Sequence, residues 1–208
     1  GEFHDLNCYF RAFRREVILD LDLHCPGMEL NAEMVIKGVR KGRRFKEIPM
    51  GYRDRVTVCV STQTGCAMGC GFCATGQMGL RNNLTAGEIA AQAVWAKREA
   101  AALPESTPRR LSNVVFMGMG EPLSNERHTF GALERFTGQM GMGDRHVTVS
   151  TVGVAPAIER LAEAYPQVGL AVSLHAADDE LRNELVPVNR LWPLAELIES
   201  IEAWRRVT

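Results

Sequence analysis

The run Val56–Thr62, VTVCVST, passes through Gln63 into Thr64–Gly76, TGCAMGCGFCATG. A β-branched run of this kind reads as a buried strand, and the glycine-rich stretch after it cannot continue that strand. Within the stretch Cys66, Cys70 and Cys73 are spaced C-x3-C-x2-C. Four-iron clusters are normally held by Cys thiolates, one per iron. Three thiolates would leave one iron open to a further ligand, and an open position marks a catalytic metal site. Two other readings stand beside this one. A structural zinc ion would need a fourth ligand, for which Cys59, His146 and His175 are candidates, or the thiols hold no metal. Glycines 65, 69 and 71 fit the iron–sulfur reading, because a bulky inorganic group needs close backbone approach.

Downstream, strand-like and helix-like runs alternate. Thr85 is predicted to cap a helix over Ala86–Ala102, with Glu88 completing a capping box and Ile89, Ala93 and Ala96 on one face. Strands are predicted over Asn113–Met117, His146–Ser150 and Gly169–Leu174. Helices are predicted over Asn125–Met140, Pro156–Ala164, Asp178–Val186 and Pro193–Arg205. This alternation implies an α/β protein with a parallel sheet and right-handed crossovers. In such sheets function gathers at the C-terminal ends of the strands. The cysteine loop, Gly118–Pro122 (GMGEP), Ser150–Gly153 (STVG) and Ser173–Ala176 (SLHA) all follow strand ends. Four strand tips are therefore expected to line one pocket.

At 208 residues, with 46% apolar and 24% charged residues, the chain can bury a core of one domain. No apolar run approaches the ~20 residues of a membrane helix, so a soluble, cytoplasmic protein with no membrane partner is expected. The net charge of −1 gives no global attraction to nucleic acid. A local basic run, Arg40, Lys41, Arg43, Arg44 and Lys46 followed by Arg53 and Arg55, reads either as a phosphate-binding patch or as a solvated loop. Residues 1–55 form an N-terminal extension in this reading and 56–208 the core. Both termini are expected to be cuts within a longer protein.

GMGEP is not G-x-G-x-x-G, so it gives no support for dinucleotide binding. Either it is a common glycine-rich turn, or Glu121 offers its carboxylate to a cationic ligand group through a charge-assisted bond. Ser150 and Ser173 can cap the helices that follow them, and His175 can be a satisfied core residue. Their shared placement at neighbouring strand tips argues for ligand contact.

The C-x3-C-x2-C loop, with Phe72 immediately before Cys73, resembles that of the radical S-adenosylmethionine (SAM) superfamily. More narrowly, CVSTQTGCAMGCGFCATG (Cys59–Gly76) with Arg81–Leu84 is similar to the dual-specificity ribosomal and transfer RNA adenine-C2 methyltransferase family. VVFMGMGEP (Val114–Pro122), VTVSTVG (Val147–Gly153), VSLHA (Val172–Ala176) and LRNELVPVN (Leu181–Asn189) belong to the same likeness, which spans roughly residues 45–208. The resemblance implies a partial parallel βα barrel of the radical SAM type, truncated here, with about four of six βα units.

It further implies that Cys66, Cys70 and Cys73 bind a [4Fe-4S] cluster and that Gly120, Glu121, Ser150, Ser173, Leu174 and His175 contact SAM. Reduction of the cluster by an electron-donor protein would split SAM to a 5′-deoxyadenosyl radical. One SAM would methylate a carrier cysteine near the C-terminus, and a second would activate that methyl group for addition to adenine in ribosomal or transfer RNA. Cys59 matches the cysteine that resolves the covalent RNA–protein adduct, a role suited to a reactive thiolate. Relatives that methylate C8 of adenine, and a non-catalytic metal-stabilised domain, are the alternatives. Two departures stand out: no cysteine follows Cys73, and Lys46 occupies the place where the family carries Glu, with Glu47 one position away.

Overall fold

Asp20, Lys41 and residues 55–103 and 110–208 are described in the computed structural model. All but the first two lie in the second of two compact units, Gly51–Thr208. The expected extension, the Lys46–Glu47 register and most of the basic run fall outside the described residues. Of that run, Lys41 pairs with Asp20 at 3.3 Å, and Arg55 is exposed.

In chain order the second unit opens with β1 (Val56–Cys59) and β2 (Gln63–Gly65), followed by the short helix α1 (Ala74–Gln77) and β3 (Leu80–Asn83). Next come α2 (Ala86–Ala102), β4 (Leu111–Phe116) and α3 (Glu126–Glu134). Then follow β5 (Val147–Thr151), α4 (Ala155–Ala164), β6 (Gly169–Val172), α5 (Asp179–Leu185) and α6 (Leu194–Val207). Strands β1, β4, β5 and β6 form one parallel sheet in that order, while β2 and β3 pair antiparallel as a separate hairpin. This is the partial βα barrel expected from the sequence.

Two expected elements differ in kind, while the other strands and helices shift by at most two residues at their ends. The strand predicted over Val56–Thr62 splits: β1 ends at Cys59, Val60 keeps backbone bonds to Val115 and Gly118, and the chain re-pairs from Gln63 with β3. The helix predicted over Asn125–Met140 begins as a 3₁₀ turn (Pro122–Asn125) and ends as a π turn (Arg135–Gln139). Within that π turn the Thr137 hydroxyl donates to Leu133 O at 3.1 Å, so a side chain competes for a helical carbonyl.

Alternation along the strands sorts the sheet into two faces. Val60, Val114, Phe116, Val147 and Val149 are buried against Ile89 and Ala93 of α2, Leu133 of α3, Phe136, and Ile158 and Leu161 of α4. The intervening residues Cys59, Val115, Thr148 and Ser150 point the other way, toward the barrel lumen. Cys59 pairs with Val115 and Val115 with Thr148, so Ser150 stands one side-chain layer nearer the strand tips than Cys59. Among the described residues no helix is long and apolar enough to cross a membrane.

Candidate functional site

The hairpin β2–β3 is the frame of the cysteine loop. It closes through Cys66 N–H donating to Gly79 O at 3.2 Å, with the loop and α1 between its two strands. Gln63, buried at the hairpin's start, uses its whole amide. Its Nε2 donates to Asn83 Oδ1 at 2.7 Å and to Ser124 Oγ at 3.2 Å, and its Oε1 accepts from Glu121 N–H at 2.9 Å. Asn125, also buried, donates from Nδ2 to Thr62 O and Leu84 O, each at 2.8 Å. Two amides thus fasten the cysteine hairpin to the GMGEP tip of β4. Neither was singled out from the sequence, where Asn125 only opens a predicted helix.

The tip itself allows no side chain at Gly120. Its φ is +97°, and an added Cβ would stand 2.5 Å from Gln63 Cβ. The Glu121 side chain turns inward, where Oε1 accepts from Leu123 N–H at 3.0 Å and Oε2 from Val152 N–H at 2.9 Å. Glu121 therefore ties the tip of β4 to that of β5. Burial pushes its carboxyl above the usual range, and the hydrogen bonds from Val152, Thr151 and Leu123 oppose that shift.

Ser150 is half-buried on the lumen face of β5. Ser173 follows β6 and donates its N–H to Thr151 O at 2.9 Å. After it the backbone turns sharply: His175 has φ +62°, and Ala176 N–H donates to Leu174 O at 2.8 Å. That conformation is uncommon outside glycine and gathers at functional sites. The His175 ring lies 4.2 Å from the Phe72 ring, centroid to centroid, at 43°. The β6 tip and the cysteine loop are therefore in contact, as the sequence reading required.

Cys66 and Cys70 are buried and Cys73 is half-buried, all three as free thiols. Under the loop, Cys70 packs on Val186 and Val188, and Gly71 N–H donates to Leu185 O at 3.1 Å. Burial, then the neighbouring thiolates of Cys66 and Cys73 and the Glu121 carboxylate, push the Cys70 thiol up to about 11. Cys66 is raised by burial first and by Glu121 and Cys73. A pocket that raises several anionic groups together suits a cationic metal group that takes up thiolate charge. Among the described residues no three His, Cys, Asp or Glu side chains converge as ligands of a single ion. Thiolates that each meet a different iron have no need to converge on one point. Three thiols in one loop, two of them raised by burial and by their neighbours, fit a group that offers each thiolate its own iron.

Cys59 is exposed on the lumen face at the end of β1. Partial burial raises its thiol above the ordinary value, opposed by a hydrogen bond with the Met117 backbone. A groove of about 520 Å³ lined by Asn83, Ser124, Asn125, Arg127, His128 and Phe130 contains none of the expected site residues.

Residues 60–208 match the model of the radical SAM superfamily. The chain belongs to that superfamily. The radical SAM chain is 52% identical over 168 residues to a "probable dual-specificity RNA methyltransferase RlmN" of Salinispora tropica, covering 78% of this chain and 45% of that protein. A protein of the same name from Chloroflexus aurantiacus is 54% identical over 162 residues, covering 76% and 43%. A crystal structure of a radical SAM methyltransferase from Sphaerobacter thermophilus is 51% identical with a TM-score of 0.71, covering 76% of this chain and 46% of that one. The chain spans about half the length of these relatives. The superfamily uses a [4Fe-4S] cluster and SAM, and the donor set of the cysteine loop fits that group.

Proposed function

We propose that this chain carries the radical-generating core of an RNA methyltransferase that acts at C2 of adenine in 23S ribosomal RNA and transfer RNA, in the cytoplasm. The supporting observation is the three-cysteine loop seated among four strand tips, in a chain about half identical to proteins named dual-specificity RNA methyltransferases. Cys66, Cys70 and Cys73 would hold one iron each, leaving the fourth for the amino and carboxylate groups of SAM. When bound and reduced by an electron-donor protein, the cluster supplies the electron that splits the sulfonium of SAM.

The protein's own residues bind and orient. Gly120 would bring backbone close to the methionine end, its own packing against Gln63 leaving no room for a Cβ. Glu121 fixes that backbone, and the lone pairs left on its carboxylate suit the ammonium group. Ser150, Ser173, Leu174 and His175 meet the rest of SAM from the tips of β5 and β6. Cys59, one layer deeper in the lumen, would be the thiol that resolves the covalent RNA–protein adduct.

Anaerobic reconstitution tests this reading. A brown protein with about four irons per chain, yielding 5′-deoxyadenosine on reduction with SAM, is expected, with both lost in Cys70→Ser. A colourless protein holding one zinc sinks it. Mass spectrometry of RNA treated with the full-length enzyme should show 2-methyladenosine, and 8-methyladenosine in its place would move the target.

A further inference from the structure

Helix α5 carries a buried charge that none of the steps above uses. Arg182 is fully buried, and such a group is tolerated only when its donors are met. Its Nε donates to Leu174 O at 3.0 Å, its Nη2 to Val152 O at 2.5 Å, and its Nη1 to Asn189 Oδ1. Asn189 is held in turn, its Nδ2 donating to Asp179 Oδ1 and Asn183 Oδ1 at 2.8 Å each. Asp179 Oδ1 also accepts from Leu194 N–H at 2.9 Å, at the start of α6.

The two carbonyls belong to the strand tips themselves. Val152 lies between Ser150 and Gly153, and Leu174 lies between Ser173 and His175. Gly153, with φ +113°, leaves room for the guanidinium, since a Cβ there would stand 3.1 Å from Arg182 Nη2. The far end of the same helix accepts Gly71 N–H of the cysteine loop. The charge of Arg182 is also felt at His175, whose pKa is lowered by burial and then by this guanidinium.

We propose that Arg182 is the positioning residue of the SAM pocket: its guanidinium sets the spacing of the β5 and β6 tips, so that Ser150, Ser173 and His175 address one ligand over the cysteine loop. This rests on reading those tips as SAM contacts. A planar fork reaching three oxygens in fixed directions is a task lysine cannot perform, although it keeps the charge.

The test uses reconstituted full-length protein, wild type and Arg182→Lys, with iron content, SAM affinity by equilibrium dialysis, and the change that SAM makes to the EPR spectrum of the reduced cluster. Arg182→Lys is expected to keep its iron, to bind SAM about tenfold more weakly and to show a diminished SAM-induced spectral change. Wild-type affinity and a wild-type spectral change in that variant overturn the proposal. Should Arg182→Lys fail to fold, Asn189→Ala carries the test: weaker SAM binding with iron retained supports it, and unchanged binding overturns it. A wild-type protein that takes up a cluster but ignores SAM takes down the reading of the tips as well.

Discussion

The helix-covered face of the sheet and the strand-tip end are held by different forces. On the first, aliphatic and aromatic side chains fill the space between sheet and helices, with Phe116 and Phe136 rings 5.8 Å apart at the centre. At the second, Gln63, Glu121, Asn125 and Arg182 are buried polar groups whose bonds run from one strand tip to the next. Apolar packing is non-directional and sets stability, whereas a fully bonded polar network fixes geometry. Substitutions on the two sides should therefore fail in different ways.

The largest effect should come from Phe136→Ala. Phe136 is fully buried, and the truncation should cost about 3–5 kcal/mol of stability. The molecules that remain folded should bind SAM with wild-type affinity. Denaturant unfolding combined with equilibrium dialysis checks both halves, and a large loss of SAM affinity per folded molecule would erase the contrast between the two regions.

Gly120→Ala sharpens the other side. The positive φ and the Gln63 contact should together cost about 1–3 kcal/mol. Because Gln63 and Glu121 must shift with it, SAM affinity should fall even at temperatures where the variant is fully folded. Wild-type SAM binding would show that the tip tolerates displacement.

At the join between the regions stands Thr85. Its hydroxyl accepts from Glu88 N–H at 3.3 Å, while Glu88 Oε2 accepts from Thr85 N–H at 2.8 Å. Thr85→Ala should cost about 1 kcal/mol through the lost cap and leave iron content and SAM affinity alone. Thermal unfolding with iron analysis would reveal any leak from helix to hairpin.

The same contrast explains what the sequence made legible. Helix α2 keeps its predicted bounds because its signals are local, a capping box at one end and a run of helix formers behind it. The cysteine loop was legible because ligand spacing is a property of the covalent chain. The hairpin around it was not: β3 is Leu-Arg-Asn-Asn, exposed throughout, and becomes a strand only through its pairing with Gln63–Gly65. Arg182 lies in LRNELVPVN, a stretch that carried the family likeness without a role for the guanidinium. Its burial depends on Val152 O, 30 residues away in sequence, and local pattern does not report such partners. Of the candidate site, residue types and strand-tip placement were readable, while the polar bonds that set the distances were not.

Cys59 carries the comparison to the lumen face, the side of the sheet away from the helices. Its thiol is raised by burial, so the folded chain holds that proton more tightly than the unfolded chain does. The resulting stability is fully present below the ordinary thiol pKa and is lost as pH rises through the raised value. Alkylation by iodoacetamide follows thiolate population. Peptide mapping of the reconstituted protein should find Cys59 half-reactive only above the pH of an unperturbed thiol. A midpoint below that value would mean that the lumen already favours the anion and that Cys59 is poised before any substrate binds. A midpoint above it means that burial on the lumen face outweighs the Met117 hydrogen bond and keeps the thiol protonated in the free protein.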